Sequence, residues 1–230
     1  MMTRTLVTLS VAIAALTPLT VEAAPIFIDF ATGTGNTPAA PTNFNRVVDA
    51  TSVTNLIDID GDATAVDITV NNVPSGSNSG RTPAANTDAA IFGSALVNHI
   101  ASNTVAIQVT FSDLIPGLAY DFVGSASRGN LATDGSQRAI GTYTFTGAGT
   151  PTSVDFEPVN NNSQVFRADD VFANASGEIA LTVTRHANNN YNFVFLNALS
   201  IEAVAVPEPA SMSLLALGGV ALLGRRKRAC

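Results

Sequence analysis

The feature that most restricts this chain is short hydrophobic alternation, interrupted again and again by turn formers. Val105, Ile107, Val109 and Phe111 alternate with Ala106, Gln108 and Thr110, the period-two pattern of a strand with one face in a core and the other in water. The pattern recurs at Ile26, Ile28 and Phe30, at Val66, Ile68 and Val70, at Tyr120 and Phe122, at Tyr143 and Phe145, and at Ile179, Leu181 and Val183. Between these runs lie clusters of Gly, Asn, Ser and Pro. In one of them Pro116-Gly117 predicts a type II turn, proline presetting φ and glycine taking the positive value. Roughly nine or ten short strands with scarcely any helix predict an all-β chain, a single antiparallel β-sandwich of jelly-roll type. No fixed-period repeat is present, which argues against a propeller or a β-helix.

Particular elements follow from the same reading. Val53 to Ile59 reads as a strand, and Asn71 to Asn86 as a long polar loop. Asp88 is placed to cap a short helix from Ala89 to about Ile100. A short strand is expected near Val165, and Tyr191 to Val204 reads as the last and longest strand.

The two ends carry addresses. Arg4, the apolar run from Leu6 to Leu19 and the Val21-Glu22-Ala23 triplet predict a signal peptide over residues 1–23, cut after Ala23 by signal peptidase. Residues 206–230 contain Pro207-Glu208-Pro209, the apolar stretch Met212 to Gly224, and Arg225-Arg226-Lys227-Arg228. The apolar stretch predicts a short transmembrane helix, and the four cations after it should stay cytoplasmic. Taken in that order, the three parts resemble the PEP-CTERM sorting signal of exported proteins in Gram-negative bacteria that make exopolysaccharide. The resemblance implies an inner-membrane precursor that an exosortase recognises at Pro207, Glu208 and Pro209 and releases to the cell surface or extracellular matrix. Residues 24–205 are then the delivered domain.

Within that domain, six arginines face all of the chain's eighteen carboxylates except Glu22 and Glu208, for a net charge of about −10. Such a surface repels phosphate backbones, so nucleic acid is not an expected partner, and a strongly anionic polysaccharide is disfavoured. The one cysteine, Cys230, lies beyond the basic cluster, which leaves the domain without a disulfide. Tryptophan, a common platform for sugars, is absent.

A second resemblance spans the domain. Ile28-Asp29-Phe30, Asp58-Ile59-Asp60-Gly61, Leu114 to Phe122, Gly177 to Val183 and Asn197 to Glu202 are similar in order to galactose-binding-like jelly rolls. That family implies a non-catalytic glycan-binding or structural module whose edge loops often hold the ligand.

Candidate chemistry is sparse. Asp58, Asp60 and Asp62 alternate as oxygen ligands for calcium do, but Gly61 is fourth and Thr69 twelfth, so this is no EF-hand. A hairpin turn using Gly61 is the reading the residues favour. His99 and His186 lack the spacing of a transition-metal site and read as surface or hydrogen-bonded residues. No Gly-x-Ser-x-Gly elbow occurs. Asp169-Asp170 and the pair Asp155 and Glu157 are carboxylates of polar stretches. For glycan contact the candidates are Arg128, Arg167, Arg185, Tyr191, Phe193 and the Asn188 to Asn190 run, although Tyr191 and Phe193 share the alternation of a core strand. No catalytic residue and no cofactor other than calcium is expected. The chain reads as a non-enzymatic exopolysaccharide-associated or glycan-binding protein, with a secreted polysaccharide hydrolase and a self-associating matrix protein as the alternatives.

Overall fold

The computed structural model describes residues 23–32, 38–49, 51–72, 75–132 and 134–204. The expected signal peptide up to residue 22 and the sorting segment from residue 205 onward lie outside the described residues. Within Glu22–Val204, one compact unit, fourteen strands and one 3-10 helix form among the described residues. In chain order the first strands are β1 (Ile26–Ala31), β2 (Phe44–Val48), β3 (Ser52–Val53), β4 (Asp67–Asn71) and β5 (Ser75–Ser77). After the 3-10 helix (Asp88–Val97) come β6 (His99–Ser102), β7 (Ile107–Ser112), β8 (Ala119–Ser125), β9 (Gly141–Thr146) and β10 (Thr152–Phe156). The chain closes with β11 (Phe166–Phe172), β12 (Ile179–Arg185), β13 (Val194–Leu196) and β14 (Ala198–Ala203).

The first sheet has the order β11-β8-β14-β1-β2 and the second β10-β9-β12-β7-β4-β3. Pairing is antiparallel throughout except between β1 and β2. The inner faces meet through aromatic rings. Phe122 of β8 lies 5.4 Å from Phe111 of β7 and 4.6 Å from Phe145 of β9, ring centre to ring centre, and Phe166 of β11 lies 4.3 Å from Tyr143. Each such ring, fully removed from water, contributes about 1.5–3 kcal/mol. The architecture is the expected all-β sandwich. A small third sheet, β13-β6-β5, stands at one end of it.

The turns explain why the chain is rich in asparagine. All ten described non-glycine residues at positive φ are Asn or Asp, whose short polar side chains bond locally and so tolerate the left-handed region. The turn at Pro116-Gly117 forms as expected, with Gly117 at φ 75° and Leu118 N donating to Ile115 O at 3.1 Å.

Six expectations are corrected. The segment after Thr87 is a 3-10 helix without a side-chain cap, because Gly93 at φ 50°, ψ −136° breaks any continuous α-helical run; Ile100 belongs to β6. Val105 is 49% exposed and precedes β7, since the Ser102 hydroxyl accepts from Val105 N and donates to Val105 O, closing a turn there. The run from Val53 to Ile59 stops being a strand after Val53, where Asn55 turns at φ 53° and its N–H bonds to Asp67 Oδ1 at 2.8 Å. The Asn71 to Asn86 stretch contributes β5, and the strand near Val165 is the longer β11, which carries Asp169 and Asp170 at a register shift. The stretch from Tyr191 to Val204 is two strands in two different sheets, divided at Asn197.

Candidate functional site

The division at Asn197 creates the site. Its fully buried side chain donates to Leu96 O at 2.7 Å and Ser127 O at 3.1 Å and accepts from Ser127 N at 2.8 Å. These bonds pin together the end of the 3-10 helix, the segment after β8 and the last strand pair. Ala198 onward stays in the first sheet, while Val194–Leu196 pairs with β6, Phe195 opposite Ala101. On the other side of β6, Ser77 pairs with His99. Gly76 is required beside it, because a Cβ there would come within 2.5 Å of the His99 carbonyl and 1.9 Å of the Thr32 methyl.

The outcome is a cavity of about 200 Å³ lined by Gly76, Ser77, His99, Ala101, Arg128, Tyr191, Phe193 and Phe195. One wall is a ladder of rings: Tyr191 to Phe193 at 5.7 Å, Phe193 to Phe195 at 6.1 Å, and the His99 ring edge-on to Phe195 at 5.1 Å. Polar groups adjoin the rings. Arg128 Nη1 donates to Ser79 Oγ; Ser79 Oγ lies 2.5 Å from Ser77 Oγ, and Ser77 Oγ 3.3 Å from His99 Nε2. The backbone behind Arg128 is fixed by Ser127, whose hydroxyl donates to Asn161 O at 2.5 Å, and by Arg128 N donating to Pro158 O at 2.9 Å. Tyr191, Phe193 and Arg128 are half-buried, so the rim remains accessible.

His99 is 2% exposed, and among the described residues its Nδ1 has no hydrogen-bond partner. Burial, helped by the neighbouring Arg128 charge, pushes its pKa down to about 3. At neutral pH it is therefore a neutral imidazole, one nitrogen donating and the other accepting. Arg128 is the cation of the cavity. The set can lay an apolar ring face on aromatic side chains and meet its polar substituents with a guanidinium and an imidazole.

Two of the predicted glycan-contact residues, Arg128 and Tyr191, thus meet in one cavity with Phe193. Arg185 lies elsewhere, at a cavity of about 110 Å³ formed with Ser102 to Ala106, Thr184 and Val194, and it donates to Asn192 Oδ1 at 3.0 Å. Arg167 is on the outer face of edge strand β11. The asparagine run is used internally: Asn189 donates to Ile140 O and Phe193 O, and Asn190 Oδ1 accepts from Arg138 N. Asp58, Asp60 and Asp62 form a turn in which Asp58 Oδ1 accepts from Asp60 N at 3.0 Å and Asp62 N at 2.9 Å, with Gly61 at φ 91°. Among the described residues no group of three His, Cys, Asp or Glu side chains converges as a metal would require. The sequence reading missed His99, Ser77, Ser79 and Phe195 as site residues, since no spacing in the chain links positions 77–99 to 191–195.

A second buried polar cluster lies on β1 and β2. Asp29, fully buried, faces Arg46 Nε at 3.6 Å and accepts from Asn98 Nδ2 at 3.3 and 3.4 Å. Burial raises its pKa to about 6 against the lowering effects of Asn98 and Arg46. Here the cation is already matched by a carboxylate.

The fold and cavity define an all-β sandwich with a small aromatic-walled pocket. Residues 205–228 match the PEP-CTERM protein-sorting motif, so the sandwich belongs to an exported chain that is sorted by an exosortase to the cell surface. No curated protein matches the chain in sequence. Among solved structures it is similar to TmCBM61 in complex with beta-1,4-galactotriose, at 10% identity over 47% of this chain and 70% of that one, TM-score 0.27. It is similar also to the family 32 CBM from C. perfringens NanJ in complex with galactose, at 14% identity over 59% and 93%, TM-score 0.29. A third likeness is to the ANXUR2 extracellular domain from Arabidopsis thaliana, at 11% identity over 80% of this chain and about half, 49%, of that one, TM-score 0.38. At such low identity and TM-score, these likenesses say nothing of what the chain binds. No helix among the described residues is long and apolar enough to cross a membrane.

Proposed function

We propose that this chain is a non-catalytic, exopolysaccharide-associated surface protein whose sandwich binds one sugar ring of a glycan in the pocket at β5, β6 and β13. Delivery begins with a signal peptide cut after Ala23. The Met212 to Gly224 span and the cations Arg225, Arg226, Lys227 and Arg228 then hold the precursor in the inner membrane until the exosortase acts at Pro207-Glu208-Pro209. The observation that carries the binding reading is the convergence of Tyr191, Phe193, Phe195, Arg128 and His99 on one accessible cavity. An apolar and aromatic lining with a few convergent polar groups is the composition of small-ligand sites.

The volume is below the roughly 300–1,000 Å³ of sites for drug-sized ligands, which suits a single ring. One contact favours the hydrolase alternative, the approach of Ser77 Oγ to His99 Nε2. A serine nucleophile needs a basic imidazole oriented by a third group. Here Nδ1 has no partner and burial makes the imidazole a weak base.

The test is titration of the full chain with oligosaccharides from the host exopolysaccharide, with an assay of new reducing ends and released acyl groups on the same samples. The expected result is saturable binding without product, weakened about tenfold in Tyr191→Ala by loss of the ring contact. Product formation that is abolished in Ser77→Ala would replace this reading with the hydrolase one.

A further inference from the structure

The glycan reading of the pocket leaves its charge unexplained. Arg128 is half-buried and, among the described residues, has no carboxylate at ion-pair distance, whereas Arg46 pairs with Asp29 at 3.6 Å and Arg138 with Glu157 at 3.4 Å. Arg81, Arg167 and Arg185 also lack one, but they are exposed, where water compensates a charge cheaply. A cation partly withdrawn from water is ordinarily paired. Arg128 instead donates to a neutral acceptor, Ser79 Oγ, and that hydroxyl leads through Ser77 to a neutral histidine. His99, which also lines the cavity, is 2% exposed, and its Nδ1 has no partner among the described residues. Two contacts hold the Arg128 segment from both sides: Gly129 N donates to Ser79 O at 2.6 Å, and Arg81 N donates to Ser127 Oγ at 2.9 Å.

A half-buried fork lining a cavity beside aromatic rings is matched by a planar carboxylate on a pyranose, which guanidinium binds through two parallel N–H···O bonds. The rest of the domain sets the density of that charge. Its net charge of about −10 opposes a polymer with a carboxylate on every ring. A single carboxylate on an otherwise neutral glycan feels the nearby Arg128 fully, while more distant charges are screened beyond about 8 Å at physiological salt. Resting on the glycan reading above, we infer that the pocket selects an isolated acidic sugar, a carboxylate-bearing terminal ring, with the ring against Tyr191 and Phe193 and the carboxylate on Arg128.

The experiment titrates the full chain with methyl glucuronide and methyl galacturonide, each beside its neutral counterpart, methyl glucoside or methyl galactoside, at low and high salt. The uronide is expected to bind about tenfold more tightly than the hexoside, in line with a charge-assisted hydrogen bond. That preference should shrink at high salt and vanish in Arg128→Gln, whose uronide binding falls to the level of its hexoside binding. Equal binding of uronide and hexoside by the unmodified chain overturns the acidic-sugar inference and leaves the glycan reading intact. No binding of any of the four overturns both. A preference that persists in Arg128→Gln places the carboxylate elsewhere and overturns the assignment. Should Arg128→Gln fail to fold, the salt dependence of the unmodified chain decides, because a preference unmoved by salt is incompatible with an ion pair at an accessible rim.

Discussion

The Asp58–Asp62 turn and the pocket at His99 are two places where polar side chains gather, and they differ in how far water reaches them. In the turn, Asp58 Oδ1 takes the N–H groups of Asp60 and Asp62, Asp58 N donates to Asp62 O, and Asn43 Nδ2 reaches in to Ile59 O at 2.8 Å. The Asp58 carboxylate is bound into the turn, while Asp60 and Asp62 are exposed to water. In the pocket, among the described residues, Arg128 has no carboxylate at ion-pair distance and His99 Nδ1 has no partner. A polar group withdrawn from water and left unmatched marks a candidate site more strongly than an exposed carboxylate does.

The largest effect expected is at Asn197, which holds the pocket without lining it. Asn197→Ala removes three hydrogen bonds in a fully buried place and leaves Leu96 O, Ser127 O and Ser127 N without them. The cost should be roughly 3 kcal/mol or more, read as a lower urea midpoint, and glycan binding should fall with the loss of Phe195's position. If stability drops while binding in the remaining folded fraction is unchanged, the pocket does not depend on the division of β13 from β14.

Acid stability separates the pocket from the buried pair on β1. His99 is held at about 3, below the ordinary 6.5, so the unfolded chain takes up this proton first. Stability from the neutral ring is complete above pH 6.5 and is lost as pH falls toward 3. Asp29 behaves oppositely. Its value is raised from 3.8 to about 6, so the stability due to its protonated form is complete below 3.8 and is lost as pH rises through 6. Thermal melts across pH 3 to 7 should therefore show His99→Gln less sensitive to acid than the unmodified chain, by several kcal/mol at most, and Asp29→Asn gaining relative stability above pH 6. A His99→Gln variant with an unchanged acid limb would mean that the ring is hydrated, not withheld from water.

The smallest effect belongs to the turn. Asp58→Ala should cost about 1 kcal/mol through the two lost N–H acceptors, with the same melting temperature whether calcium or a chelator is present. A calcium-dependent rise in the unmodified chain that disappears in Asp60→Asn would make the turn a cation site and erase the contrast with the pocket.

Much of the fold was legible because it depends on neighbours in sequence. Ile107, Val109 and Phe111 alternate and are buried; Gly117 and Gly61 take the positive φ that their turns demand; the sorting motif is linear and is read as such. Arg128 and Tyr191 were legible as residue types suited to a glycan, but so were Arg167 and Arg185, which the fold sends elsewhere. Alternation says which face of a strand is buried and is silent about which sheet the strand joins. Tyr191 to Val204 therefore read as one strand, although Asn197 bonds to Leu96 across 101 residues and turns it into two. By itself the sequence determined the β class, the turns and the address at the C-terminus, since each rests on contacts a few residues long. Tertiary structure alone decided that His99, Arg128 and Tyr191 share a cavity, because the bonds that gather them span the chain and have no local period.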